Sequence, residues 1–267
     1  MDYKKALPLI VCLLIAGSIV VFKYSARAPE QVSSSTDHTI LIQGTLNIPV
    51  LTQLKSAIIP KINVIFEEAF DMDLVSGYKP GTCDYYFTPK KEQLLTLYYV
   101  EDIASDADAA MIMEESARIA SNNQPACMLK NTTLTYDVRF FGDEFDELVI
   151  MAHDQSHELA TLNTLFKDAF HTLNNSNRAR YNVEKSERHG YHPHVSLGKI
   201  DLARIKFGPL LDIKYANDVI DRIRRSIIEE TLRALKEITH GQPIPISFET
   251  VRIVDTDNHN VKEIPLR

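Results

Sequence analysis

Tyr191-His192-Pro193-His194-Val195-Ser196-Leu197-Gly198 is the stretch on which the reading of this chain turns. A β-strand alternates its side chains, so His194 and Ser196 are expected to project from one face, one pleat apart. An imidazole exchanges a proton near neutral pH, and a hydroxyl donates to a phosphoryl oxygen. Together they make half of a phosphate site. The rest of the chain has to supply the other half.

Charge around this stretch supports an anionic ligand. Between Arg178 and Lys206 stand seven Lys/Arg (178, 180, 185, 188, 199, 204 and 206) against Glu184, Glu187 and Asp201, a local net of +4. The whole chain carries a formal net charge of −7, which excludes a general nucleic-acid binder that works through bulk attraction. Glycine-rich phosphate loops are absent, so nucleotide binding of the P-loop or Rossmann kind is not expected, and no cofactor is implied. His189, His192 and His194 invite a metal reading. On a strand 192 and 194 share a face while 189 has the other parity, and no carboxylate follows at a ligand spacing, so no metal centre is expected there. His153 and His157 straddle a helix start and form no one-face pair.

The N-terminus sets the address. After Lys4 and Lys5, residues 6–22 run for 17 positions without a charge, the lower limit for crossing a bilayer and long for a signal-peptide core. Ala26-Arg27-Ala28 resembles a cleavage site, but Pro29 follows directly, which favours an uncleaved anchor over a removed signal. Either way residues 1–28 form a signal anchor or signal peptide and 29–37 a linker, with one domain over 38–267. The expected location is membrane-anchored or exported, with orientation open because basic residues flank both ends. No protein partner is identifiable. Three cysteines exclude a disulfide-built scaffold; Cys83 and Cys127 can pair in an oxidising compartment or stay as buried thiols.

The domain reads as alternating strands and helices. Thr39–Leu46 is a first strand, followed by a helix over Leu54, Ile58, Ile62 and Phe66 in which Pro60 forms a kink or a new start. Gln93–Val100 is a buried strand, and Ser105 caps the next helix. Leu134, Tyr136, Val138 and Phe140 alternate in a strand, Leu148–Ala152 forms another, and Ser156 caps a helix carrying Leu159, Leu162, Phe166 and Phe170. After the His194 strand, Val219, Ile223, Ile227 and Leu235 mark the longest helix, capped by Asn217 and stopped by Gly241. Ile246–Val254 is the last strand. The fold class is α+β, with mainly antiparallel sheet. Strand, helix, motif strand, helix occurs twice, around residues 39–121 and 148–239. The two units align Leu94-Leu95-Thr96-Leu97 with His194-Val195-Ser196-Leu197.

On these residues the chain resembles the two-histidine (2H) phosphoesterase superfamily, which includes 2'-5' RNA ligase-like proteins and cyclic phosphodiesterases. The resemblance implies two pseudo-symmetric lobes around a cleft, each carrying a His-x-Thr/Ser motif, and a nucleotide or RNA-end phosphate as ligand. It implies chemistry on 2',3'-cyclic phosphates or 2'-5' phosphodiesters without an obligatory metal. Carried across, His194 takes an acid/base role, Ser196 contacts phosphate, and Thr96 does so from the first motif. Leu94 departs from the pattern: leucine exchanges no proton and lines the cleft with apolar surface. Weakened hydrolysis and a non-catalytic nucleotide-binding pseudoenzyme are the two functional expectations.

Overall fold

The computed structural model describes residues 38–71, 75–76, 87–142, 146–201, 206–207 and 213–266. The apolar segment 6–22, the 29–37 linker, Cys83 and Arg204 lie outside the described residues. Among the described residues, no helix is long and apolar enough to cross a membrane.

The strands are β1 (His38–Thr45), β2 (Val75–Ser76), β3 (Phe87–Pro89), β4 (Leu94–Ile103), β5 (Thr132–Phe141), β6 (Glu147–Asp154), β7 (His194–Ile200), β8 (Lys206–Phe207), β9 (Ile244–Pro245), β10 (Thr250–Asp255) and β11 (Asn260–Pro265). The helices are α1 (Pro49–Asp71), α2 (Asp106–Asn122), α3 (Gln124–Cys127), α4 (Glu158–Asn175), α5 (Val183–Glu187) and α6 (Ile213–Thr239). Nine strands form one antiparallel sheet in the order β11-β10-β1-β4-β7-β6-β5-β9, with β3 also on β7; β2 and β8 pair separately. The fold is α+β.

Period-2 alternation builds the sheet. In β1 the residues from His38 to Gly44 alternate buried and half-buried, so Ile40 and Ile42 enter the core while Leu41 and Gln43 face away. Helices cover the buried faces. α2 lies against β1 and β10, and α4 against β4 and β6. α1 and α6 pack on one another and reach β3 and β5 respectively. The inner stripe of α1 is Leu51, Leu54, Ile58, Ile62 and Phe66, and that of α6 is Val219, Ile223, Ile227 and Leu235, all buried.

The centre of the sheet is the junction of β4 and β7, where Leu95 pairs with Val195. The order is mirrored about this junction: β1 flanks β4 and β6 flanks β7. Helices exchange across it, since α1 of the first strand-helix-strand-helix unit packs on α6 of the second, and α2 on α4. The repeated element order of the sequence is therefore an arrangement in space.

Gly198, the last residue of the quoted stretch, sits where β3 crosses β7. A Cβ there would meet the Phe87 ring at 2.4 Å and the Thr88 carbonyl at 2.8 Å. Glycine is required by close packing.

Several boundaries differ from the sequence reading. Pro60 lies inside a single continuous helix, α1. Ser156 does not cap α4: the cap is His157 in the left-handed region, and the Asp154 carboxylate accepts the Ala160 N–H instead. Asn217 lies within α6, which begins at Ile213. Gly241 does end it, donating its N–H to the Lys236 carbonyl at a positive φ of 75°. The alternation in β5 breaks at a bulge between Leu134 and Val138, where the Thr135 hydroxyl bonds the Met151 carbonyl and accepts the Asp137 N–H. The last predicted strand, Ile246–Val254, is shorter: β10 begins only at Thr250, β9 precedes the predicted span, and Phe248 between them packs over Gly44. β10 then turns into β11, which the sequence reading omitted. Cys127 is a buried, free thiol whose pKa burial pushes to about 11.

Candidate functional site

Leu95 and Val195 are fully buried on the helix side of the junction. Their neighbours in each strand therefore face the opposite side. Carrying the antiparallel register one step each way puts Thr96 across from His194 and Leu94 across from Ser196. All four are half-buried. The predicted residues His194, Thr96 and Ser196 thus share one face at the middle of the sheet, with Leu94 completing the square.

Thr96 and His194 of this face line a cleft of about 790 Å³, whereas Ser196 and Leu94 are not among its lining residues. Thr39, Leu41, Thr96 and Tyr99 line it from β1 and β4, and Phe141, Glu147 and His194 from β5, β6 and β7. A bulge in the β1–β4 pairing, between Ile42 and Gln43, shifts the parity of β4. Tyr99 thereby pairs with Leu41 and joins the cleft side, while Tyr98 pairs with the buried Ile42. Asn163 of α4 donates to the Leu97 carbonyl at 2.7 Å. The loop after α5 forms one lip through Arg188, His189, Gly190 and His192.

His194 Nδ1 lies 2.7 Å from the carbonyl oxygen of His192. A carbonyl only accepts, so Nδ1 carries the proton of the neutral ring and Nε2 is the basic nitrogen. The Phe141 ring lies against the imidazole, with centroids 4.7 Å apart, and limits its rotation. Thr96 Oγ1 accepts a bond of 3.5 Å from Gln43 Nε2, which leaves its O–H to donate elsewhere. Ser196 differs: its hydroxyl donates to Glu147 Oε1 at 2.6 Å. Lys90 Nζ stands 3.8 Å from the same oxygen.

A second polar cluster forms part of the cleft wall through Tyr98, Lys167 and Glu187. Glu187 accepts from Lys167 Nζ at 2.6 Å and from the Tyr98 hydroxyl at 3.2 Å, and His171 Nε2 lies 2.6 Å from it. Burial opposes the charge on Glu187, but the hydrogen bonds from Lys167 and His171 hold its carboxyl below the usual carboxylate range. Burial, joined by the nearby Glu187 charge, raises Tyr98 and pushes Tyr181 up to about 12. Tyr191, the first residue of the quoted stretch, is raised by burial and by Asp154. This cluster braces the loop that carries the lip.

The basic excess is partly consumed within the fold. Lys185 pairs with Asp102 at 2.6 Å and Lys199 with Asp146 at 2.7 Å. Arg188 is the member of the run that lines the cleft. Sequence reasoning missed Gln43, Glu147, Phe141 and Tyr99, because nothing local marks them. Each comes from a different strand and joins the motif only through sheet pairing. The alternation of Gln43 in β1 and the charge of Glu147 at the head of an apolar strand were the only available signals.

No known family's sequence profile matches the chain, and no curated protein matches it. Among solved structures, Usb1 of Kluyveromyces marxianus with uridine monophosphate is similar at TM-score 0.52 and 11% identity, covering 87% of this chain and 99% of that one. A second Usb1 structure from the same organism gives TM-score 0.50 and 12% identity over the same shares. Similarity at this identity is similarity of fold. With the mirrored sheet and the paired motif strands, it means that the described residues adopt a 2H phosphoesterase-like fold.

Proposed function

We propose that the cleft over β4 and β7 takes the phosphate of a nucleotide or an RNA end, with His194 as the imidazole acid or base. The two sheet halves act as pseudo-symmetric lobes, and the phosphate sits between Thr96 and His194. The observation that carries this reading is the 2.7 Å contact of His194 Nδ1 with the His192 carbonyl, which needs the proton on Nδ1 and leaves Nε2 as the basic nitrogen. That nitrogen can take a proton from an attacking water, or return one to a leaving ribose oxygen, at a 2',3'-cyclic phosphate or a 2'-5' phosphodiester. Thr96 supplies a donor to a phosphoryl oxygen, and Tyr99 and Phe141 offer apolar surface beside it. That a similar structure, Usb1, holds uridine monophosphate supports a nucleotide in the cleft.

Leu94 stands where a second histidine would complete the pair, so turnover is slow: losing one general acid or base typically costs roughly a hundredfold to ten-thousandfold. One observation favours the second reading, a nucleotide-binding pseudoenzyme. Ser196 is committed to Glu147, and an ionised carboxylate beside the phosphate repels it. On either reading the domain is placed at a membrane or outside the cytosol by residues 6–22.

The test uses the full-length chain with 2',3'-cyclic uridine phosphate and a 2'-5' dinucleotide. Turnover in the wild type that disappears in His194→Ala supports the enzyme. Turnover that appears only in Leu94→His, with nucleotide binding in both, supports the pseudoenzyme. Equal turnover and equal binding in wild type, His194→Ala and Leu94→His would remove the site altogether.

A further inference from the structure

At the end of β1 remote from Leu94, a second set of side chains meets in a way the cleft does not explain. His38 is 3% exposed and Asp255 2% exposed. His38 Nε2 lies 3.2 Å from Asp106 Oδ1. A proton on Nε2 would face that carboxylate, and the Nδ1 lone pair is then bare in the neutral ring. That Nδ1 is buried with no hydrogen-bond partner, and it faces Asp255 Oδ1 at 3.8 Å. Two buried acceptors facing one another are stable only with a cation between them or a proton on the ring. A separation of 3.8 Å is too long for a hydrogen bond. It suits two ligands of one metal ion, since bonds of about 2.0–2.2 Å set ligand atoms roughly 3–4 Å apart.

We infer that a divalent cation of the zinc type binds between His38 Nδ1, Asp255 and Asp257. Each of the three offers a ligand atom, and these atoms lie within 4.8 Å of one another. The surroundings orient them as metal ligands are oriented. Asp106 fixes the imidazole from behind, as a carboxylate does in carboxylate–histidine–zinc triads. Asp255 Oδ1 accepts the backbone N–H groups of Asp257 and Asn258 at 3.2 Å, and its Oδ2 accepts Asn258 Nδ2 at 3.0 Å. Asp257 Oδ2 accepts the Thr39 N–H at 2.9 Å. One imidazole and two carboxylates suit zinc with water in the fourth position. An open pocket of about 720 Å³, lined by Asp106, Asp255 and Asn258 with Glu114 and Lys262 at its sides, provides the entry path. The ion clasps the start of β1, the first turn of α2 and the β10–β11 turn. Its role is structural, and it stands independently of the function assigned to the cleft.

The test titrates ZnCl₂ and, separately, MnCl₂ into the purified full-length chain after treatment with EDTA, read by calorimetry and by thermal melting. Asp257→Asn removes a ligand charge on an exposed residue and keeps an acceptor for the Thr39 N–H. His192→Gln controls for capture of zinc by the histidines near the cleft. The expected result is one equivalent of Zn²⁺ that raises the melting temperature, weakened at least tenfold in Asp257→Asn and unchanged in His192→Gln. A wild-type melt of EDTA-treated Asp257→Asn shows that the variant folds. The inference is overturned by absence of stoichiometric Zn²⁺ binding, or by binding insensitive to Asp257→Asn. A His38 ring carrying protons on both nitrogens at pH 7 in ¹⁵N spectra, unchanged by zinc, overturns it equally.

Discussion

The strands β4 and β7 meet as equals on one side of the sheet and as unequals on the other. On the helix side, Leu95, Leu97, Val195 and Leu197 are all fully buried, and the first of them pairs with the third. On the cleft side, Leu94 and Thr96 face His194 and Ser196. Alternate residues thus carry separate information. One set holds the halves together and is satisfied by any well-packed apolar side chain, while the other decides chemistry one residue at a time. Losing a histidine from the second set leaves the first untouched. The strands also part company three residues on. Tyr98 turns inward, packing on Phe170 at a centroid distance of 5.5 Å, whereas Gly198 has no side chain because Phe87 lies over it.

The largest effects should expose the inequality. His194→Ala should lower phosphodiester turnover roughly a hundredfold to ten-thousandfold, while Thr96→Val should weaken nucleotide binding; steady-state kinetics and calorimetry separate the two. Leu94→His should act in the opposite direction on turnover, and a null result there would break the equivalence of positions 94 and 194. The buried sides should instead respond alike. Leu95→Ala should cost about 2–5 kcal/mol of stability by chemical denaturation, with Val195→Ala destabilising in the same sense without changing the chemistry of the cleft. Gly198→Ala should cost about 1–3 kcal/mol by overpacking against Phe87, a penalty with no counterpart at Tyr98.

The smallest expected effect concerns pH. Glu187 is held below the usual carboxylate range because hydrogen bonds from Lys167 and His171 outweigh its burial. Its folded pKa lies below its unfolded value, so its contribution to stability is complete above the unfolded carboxylate range, about 4.3. That contribution is lost as pH falls through the folded value. The stability difference between wild type and Glu187→Gln should therefore shrink below about pH 4, and a difference independent of pH would remove the brace behind the lip.

The α+β class, the repeated strand-helix order and the shared face of His194, Ser196 and Thr96 were legible because they rest on local periodicity and one short motif. The caps of α4 and α6 were not. Ser156 and Asn217 are good capping types, but the Asp154 carboxylate already meets the first turn of α4, and α6 extends four residues beyond Asn217. The partners of the motif hydroxyls were illegible for a different reason. Gln43 and Glu147 lie 53 and 49 residues from Thr96 and Ser196, and only the register of the sheet brings them together. The commitment of Ser196 to Glu147 changes what that serine can do, and no reading of residues 191–198 alone could show it.

The most direct test of a phosphate cleft at the β4–β7 junction is the ¹⁵N signal of the His194 ring during titration with uridine monophosphate at neutral pH. The account predicts a proton on Nδ1 throughout, a shift at Nε2 as ligand binds, and loss of that shift in Thr96→Val. Ligand that binds without moving His194, or a ring protonated on Nε2 alone, would contradict it.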